Sequence, residues 1–185
     1  MDVTFWEQSI ETLSRPEIEA LQLERLKTLI TQAFKTPFYQ KKFAKCGLTD
    51  AWGIRTLADL EKVPFSTKDD LRQNFPFGFL AVDMQEVVRI HSSSGTTGIP
   101  TVIYLTQDDM NNWTNLLARS IVATGCSSKD VFQNMMTYGL FTGGLGLHYG
   151  AERVGMTVIP VGGGNTPRQI RMMKDFKTTV LHVTP

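Results

Sequence analysis

The chain is short of several things that would place it quickly. It has two cysteines in 185 residues, Cys46 and Cys126. So few, so far apart, do not make a disulfide-built secreted scaffold, and both are expected as buried or free thiols. It has no excess charge of one sign: 19 Lys and Arg against 18 Asp and Glu leave a formal net charge of +1. That balance argues against a nucleic-acid binder or a membrane-surface segment. Apolar runs never approach the length of a membrane span. The opening residues, Met1 to Glu7, lack the basic and apolar regions of a signal peptide, so the expected compartment is the cytoplasm. Only three histidines occur, His91, His148 and His182. They show no metal-ligand spacing with cysteine or carboxylate and are expected to pack or hydrogen-bond, so no metal-ligating residue is assigned. With 42% hydrophobic residues, however, there is enough apolar side chain for a sizeable core.

The first half, residues 1–85, is expected to be a helical N-terminal region. Ser14-Arg15-Pro16-Glu17 has the form of a capping box, with proline tolerated in the first turn. Leu23, Leu26, Ile30, Ala33 and Phe34 follow at helical spacing. Pro37 ends that helix, because the residue before a proline is pushed out of the α region. A second helix over Phe38–Lys45 should close on Gly47, and short turns over Thr56–Glu61 and Ser66–Gln73 open on hydroxyl caps. Trp52, Phe65, Phe75, Phe77 and Phe79 lie between these pieces and make the region aromatic-rich.

From residue 86 to residue 185 the pattern changes to α/β. Strands are expected at Val87–His91 and Thr101–Leu105, joined by a Gly/Ser/Thr loop. Thr106 caps a long helix to about Thr124, whose inner face carries Met110, Trp113, Leu117 and Ile121. A strand at Val131–Met136, a glycine-rich helix at Gly143–Val154, a strand at Met156–Pro160, a helix opened by Thr166-Pro167-Arg168-Gln169 and a strand at Thr179–Val183 then alternate. Such alternation implies a mostly parallel βαβ sheet with right-handed crossovers. A parallel strand needs both faces covered, so an apolar strand running out at Pro185 is either an edge strand or, as expected here, part of a longer chain.

Two segments carry chemistry. In residues 92–100, three serines, two threonines and two glycines occupy nine positions between two β-type runs. Glycines there allow backbone N–H groups to converge into an anion-binding nest, and the hydroxyls add donors. No Gly-Lys-Ser/Thr ending occurs and a strand follows, so this is not a Walker A loop. A flexible hairpin loop would have the same composition, and a serine nucleophile would need a base that the neighbourhood does not supply. In residues 138–150, five glycines fall among thirteen positions beside Tyr138 and Phe141. Each glycine in a helix costs about 1 kcal/mol against alanine. Such a run therefore points to close backbone approach, either to a neighbouring element or to a flat ligand at the strand-to-helix turn. The loop Val161–Asn165 is a further anion-binding candidate or an ordinary β–α turn.

Ser93-Ser94-Gly95-Thr96-Thr97-Gly98, with Pro100 two positions on, resembles the signature phosphate loop of adenylate-forming enzymes. Ile99 stands where that loop usually has lysine, which removes a mobile cation and leaves the backbone and hydroxyls. Tyr138-Gly139-Leu140-Phe141-Thr142-Gly143-Gly144-Leu145-Gly146 resembles the phenylacetate–CoA ligase family, as do Lys68-Asp69-Asp70-Leu71-Arg72, Phe75-Pro76-Phe77-Gly78, Val158-Ile159-Pro160 and Arg168-Gln169-Ile170. The resemblance implies the first part of an adenylate-forming enzyme fold and the AMP-forming ligation of an aryl carboxylic acid to coenzyme A, using ATP and Mg2+. It implies that Ser93, Ser94, Gly95, Thr96, Thr97 and Gly98 hold ATP phosphates. Tyr138 and Phe141 would pack on the aryl ring, Gly143 and Gly144 would leave it room, and Lys68 would approach it. It also implies a homodimer formed through the helical region. The family's adenine motif, ribose-binding aspartate, catalytic lysine and C-terminal lid would all lie beyond Pro185, so no catalytic residue is assigned and the piece alone would be inactive. The alternative is a non-catalytic nucleotide- or acid-binding module, or one used for association.

Overall fold

A computed structural model describes residues 5–93, 98 and 100–184. The chain packs as two compact units, Thr12–Tyr104 and the described residues of Met1–Glu11 with Leu105–Pro185.

In the first unit, the long helix α2 (Arg15–Ala33) begins where the sequence predicts. Ser14 N–H donates to Glu17 Oε2 at 2.8 Å, which satisfies a donor the helix itself leaves over. The next helix, α3 (Pro37–Lys45), is capped by Thr36, and the chain leaves it through Gly47 at φ 74°, a conformation that favours glycine. Ile30 from α2 and Phe43 from α3 join Leu48 and Ile54 in a fully buried cluster, flanked by Leu23, Leu26, Ala33 and Phe34. A 3-10 turn at Leu57–Lys62 and the short helix α4 (Lys68–Gln73) follow. The hydroxyl opening α4 is that of Thr67, which accepts from Asp70 N, rather than Ser66. None of the aromatics singled out in the sequence, Trp52, Phe65, Phe75, Phe77 and Phe79, belongs to that buried cluster. Trp52 and Phe65 are 81% and 91% exposed, while Phe79 stacks on Phe38 with centroids 4.3 Å apart. Strands β1 (Val87–Ser92) and β2 (Val102–Thr106) pair as a two-stranded sheet.

In the second unit, α1 (Gln8–Glu11) precedes the α/β alternation. Thr106 caps α5 (Gln107–Ala123) by accepting from Asp109 N. Strand β3 (Val131–Asn134), helix α6 (Thr142–Val154), strand β4 (Thr157–Ile159), helix α7 (Thr166–Asp175) and strand β5 (Val180–His182) complete it. The three strands form a parallel sheet in the order β4-β3-β5, with Val131 opposite Thr157 and Gln133 opposite Leu181. The expected parallel α/β alternation is therefore present. Its core joins Ile121, Phe132, Ala151 and Met156, each from a different element or its edge.

One predicted cap moves by a residue. Asn165, not Thr166, caps α7: it adopts φ 53° and accepts from Arg168 N. Gln169 cannot reach back in a capping box because it is buried, donating instead to Gly162 O at 2.7 Å and accepting from the buried Gln133. An asparagine tolerates the left-handed region far better than threonine, so the shift costs little. Cys46 and Cys126 are both free thiols. No described helix is long and apolar enough to cross a membrane.

Candidate functional site

The Gly/Ser/Thr segment lies between the paired strands β1 and β2. Its neck is built from Ser93 and Thr101. Ser93 N–H donates to Thr101 O at 3.0 Å, and Ser93 Oγ accepts from Thr101 N and from Thr101 Oγ1, both at 3.0 Å. Ser93 Oγ thus accepts from two donors and keeps one O–H of its own to donate. Gly98 is exposed at φ 120°, open to glycine and strained for any side chain. Ser94, Gly95, Thr96, Thr97 and Ile99 lie outside the described residues. Lys68 is the exposed first residue of α4. The carboxylates beside it take other cations. Asp70 Oδ2 lies 2.9 Å from Lys42 Nζ, and Asp69 Oδ1 lies 3.0 Å from Arg72. The Lys42 ammonium, with the Thr67 backbone amide, holds the Asp70 carboxyl below its usual range.

The aromatic–glycine segment runs from the end of β3 into α6. Here the structure brings together Tyr138, Phe141, Gly143 and Gly144. Phe141 is the N-cap of α6 and is 66% exposed, its ring lying beside the position a Gly143 side chain would take. A Cβ on Gly143 would meet Phe141 at 3.5 Å, an ordinary contact, so nothing in the chain's own packing demands glycine there. Gly144 is different: a Cβ would fall 2.6 Å from Thr137 O, so the close approach of the β3–α6 connection requires it. Further along the helix, Cβ atoms at Gly146 and Gly150 would collide with Trp113 Cζ2 at 2.5 Å and Leu117 Cβ at 2.7 Å. Much of the glycine run therefore serves the contact between α6 and α5.

The residue at the centre of this site is one that sequence reasoning missed. Asn134, fully buried at the end of β3, donates through Nδ2 to Tyr138 Oη at 2.8 Å and to Gly144 O at 2.6 Å. Its Oδ1 accepts from Met136 N at 3.2 Å and lies 3.1 Å from His182 Nδ1. A bonded amide of this kind ends β3 at Asn134, two residues before the predicted end, by turning the backbone over its own side chain. The signal was a pair of polar residues, Gln133 and Asn134, interrupting the otherwise apolar run Val131–Met136. Tyr138 is half-buried, and its hydroxyl also lies 3.1 Å from His148 Nδ1, with the two rings edge to face. Burial raises the Tyr138 phenol above its usual value, so it stays protonated across the neutral range. His148 Nε2 in turn lies 3.1 Å from Glu152 Oε1, one helical turn on. Among the described residues there is no group of three or more His, Cys, Asp or Glu placed to hold a metal ion.

Comparison with known proteins gives this arrangement its context. No protein-family model matches the chain. It is 51% identical over 177 residues to the phenylacetate-coenzyme A ligase of Escherichia coli, and 46% identical over 181 residues to that of Thermus thermophilus. These matches cover 95% and 97% of the chain, and the chain spans about 40% of the length of the relatives it matches. Among solved structures it superposes on 2-hydroxyisobutyryl-CoA ligase in complex with 2-HIB-AMP, with a TM-score of 0.84 and 27% identity over 94% of the chain and 38% of the other. An open form of that ligase holding 2-HIB-AMP and CoA gives a TM-score of 0.85, covering 42% of its chain. The chain is a homologue of the phenylacetate-coenzyme A ligases, with the fold of adenylate-forming CoA ligases.

Proposed function

We propose, from this homology, that the protein carrying the chain joins an aryl carboxylic acid of the phenylacetate type to coenzyme A at the expense of ATP, and that the chain is the N-terminal portion of that enzyme. The observation that carries the reading is identity near one half with phenylacetate-coenzyme A ligases along almost the whole chain. In the first step the acid's carboxylate attacks the α-phosphate of ATP, giving an acyl-adenylate and pyrophosphate. In the second the CoA thiol displaces AMP. Charge grows on the departing pyrophosphate, and preorganised donors aimed at it are what lower the barrier.

In this proposal Ser93, Ser94, Gly95, Thr96, Thr97 and Gly98 supply those donors to the β- and γ-phosphates. The O–H that Ser93 keeps while accepting from Thr101 suits that task. Tyr138 and Phe141 receive the aryl ring, Gly143 keeps the mouth open, and Lys68 approaches the acid. The openness at Gly143 fits a ring seated there, whereas Gly144 is needed by the fold itself. Magnesium would accompany the nucleotide, and no residue of this chain is assigned to hold it. The adenine pocket, the catalytic lysine and the lid belong to the remainder of the enzyme. The protein would work as a cytoplasmic homodimer, with residues 1–85 contributing to association.

ATP–pyrophosphate exchange tests the proposal. The full-length protein is expected to exchange label only when phenylacetate or a close analogue is present, and to release CoA thioester on adding CoA. A polypeptide limited to these 185 residues is expected to give no exchange. Absence of acid-dependent exchange by the full-length protein, with retained calorimetric binding of ATP or acid, would establish the binding-module alternative instead.

A further inference from the structure

The hydroxyl of Tyr138 is committed inside the protein. When the His148 imidazole carries one proton, its 3.1 Å contact with Glu152, which can only accept, sets that proton on Nε2. Nδ1 is then an acceptor, and the proton in its 3.1 Å contact with Tyr138 Oη comes from the phenol. From the other side Asn134 Nδ2 donates to the same oxygen at 2.8 Å. Asn134 is itself immobile: fully buried, it also donates to the α6 backbone at Gly144 O. Tyr138 is therefore tied at its tip to β3 on one side and to α6 on the other. What it has left for a ligand is the ring, because its O–H is already engaged.

We propose that His148, oriented by Glu152, is a positioning residue that fixes the Tyr138 ring, and that by accepting the phenol's hydrogen bond it makes the site prefer aryl acids with no ring hydroxyl. The inference rests on the aryl-acid ligase reading and adds the selectivity within it. A substrate ring gains apolar contact with a ring held in one orientation, so no rotamer freedom is lost on binding. A hydroxyl on that ring must leave water without meeting the donor that Tyr138 would otherwise offer, which counts against it.

Two amide replacements separate the roles of the two imidazole nitrogens. Asparagine at 148 sets an acceptor near the place of Nδ1 and loses the reach to Glu152. Glutamine reaches toward the place of Nε2 and offers Tyr138 nothing. In the full-length ligase, assayed with phenylacetate and with 4-hydroxyphenylacetate, His148→Gln is expected to raise KM for phenylacetate about ten-fold, the effect of one hydrogen bond to a buried group. Its kcat should change less than about two-fold, because the chemical step is not touched. The ratio of kcat/KM for the two acids should shift toward the hydroxylated one, since the phenol proton is released. His148→Asn, which keeps the acceptor and loses only the orienting contact with Glu152, should raise KM less than His148→Gln does and move the ratio less. Tyr138→Phe, which leaves α6 intact, should raise KM for phenylacetate without the shift in ratio. Melting temperatures of all variants separate these effects from misfolding. Equal behaviour of His148→Gln and His148→Asn, or an unmoved ratio in a folded His148→Gln, overturns the proposal while leaving the ligase reading in place. Failure of the unsubstituted enzyme to activate any aryl acid overturns both.

Discussion

At the scale of single residues, the buried polar groups decide more than the glycines that first attract attention. Asn134 ends a strand, fixes Tyr138 and meets His182, all within one amide. Because Asn134 Oδ1 can only accept, His182 shows it a protonated Nδ1 and remains neutral with Nε2 bare. Burial lowers the His182 pKa below its ordinary 6.5. The sign follows directly: below about pH 6.5 the unfolded chain binds a proton that the folded chain resists, so this stability is complete above that pH and is lost as pH falls through the lower folded value. Chemical denaturation between pH 8 and pH 5 is expected to show stability declining on the acid side, with a shallower decline in His182→Gln, which cannot titrate. Equal slopes would show that the imidazole takes up its proton alike in the folded and unfolded chain, without the lowering that burial causes. The carboxylates held below their usual range, Asp70 and Asp130 among them, act at lower pH and do not interfere in this window. Little of this was legible beforehand. A sequence shows that Asn134 is polar at a strand end and that His182 is an isolated histidine, but their meeting depends on β3 and β5 pairing in one register.

At the scale of elements, the sequence was most informative where a local interaction does the deciding. The start of α2 is read from Ser14 three residues ahead of Glu17, and that of α5 from Thr106; Glu17 accepts from Ser14 N, and Thr106 accepts from Asp109 N. The α7 cap was misread because Thr166 and Asn165 are both good caps, and the burial of Gln169 that settles the choice is a tertiary fact. The glycine run of α6 shows the same division. Composition called for close approach; only packing tells which glycine serves which neighbour. Gly150 faces Leu117 of α5, where a Cβ would sit 2.7 Å from Leu117 Cβ and 3.1 Å from its backbone carbon. Backbone cannot swing aside as a side-chain tip does, so Gly150→Ala must push the helices apart. Overpacking of this kind costs about 1–3 kcal/mol, and the helix-propensity gain of roughly 1 kcal/mol offsets only part of it. Gly143→Ala meets nothing nearer than 3.5 Å and should keep the propensity gain. Thermal melting is expected to rank Gly143→Ala at or above the unsubstituted protein and Gly150→Ala clearly below it. The reverse order would mean that α5 and α6 are not in this contact.

At the scale of the whole molecule, chain order and packing order part company. The described residues before Thr12 belong with Leu105–Pro185, not with the helices that follow them directly in sequence. Two links account for this. Trp6 Nε1 donates to Asn115 Oδ1 at 2.8 Å, and Glu7 Oε2 accepts from Asn115 Nδ2 at 2.7 Å and from the Arg119 guanidinium at 2.5 Å. Partners 108–112 positions apart leave no trace in periodicity or spacing, so an N-terminal stretch without a strong pattern reads as an adjunct of its neighbours. Bonding to Arg119, and next to Asn115, holds the Glu7 carboxyl below its usual range, so it is ionised at neutral pH. Asn115 and Arg119 lie one turn apart on α5, and Glu7 bridges both with one oxygen, which restrains that helix from outside its own segment. Glu7→Ala leaves both donors to find water, and because the group is partly exposed the cost should be modest, about 1–2 kcal/mol. A double-mutant cycle with Arg119→Ala should return coupling of roughly 0.5–1 kcal/mol. Removal of residues 1–11 should lower stability by at least as much as Glu7→Ala, because Trp6 leaves with it. Additive losses in the cycle would mean that the two residues act independently and that something other than this bridge returns the first residues of the chain to the α/β unit.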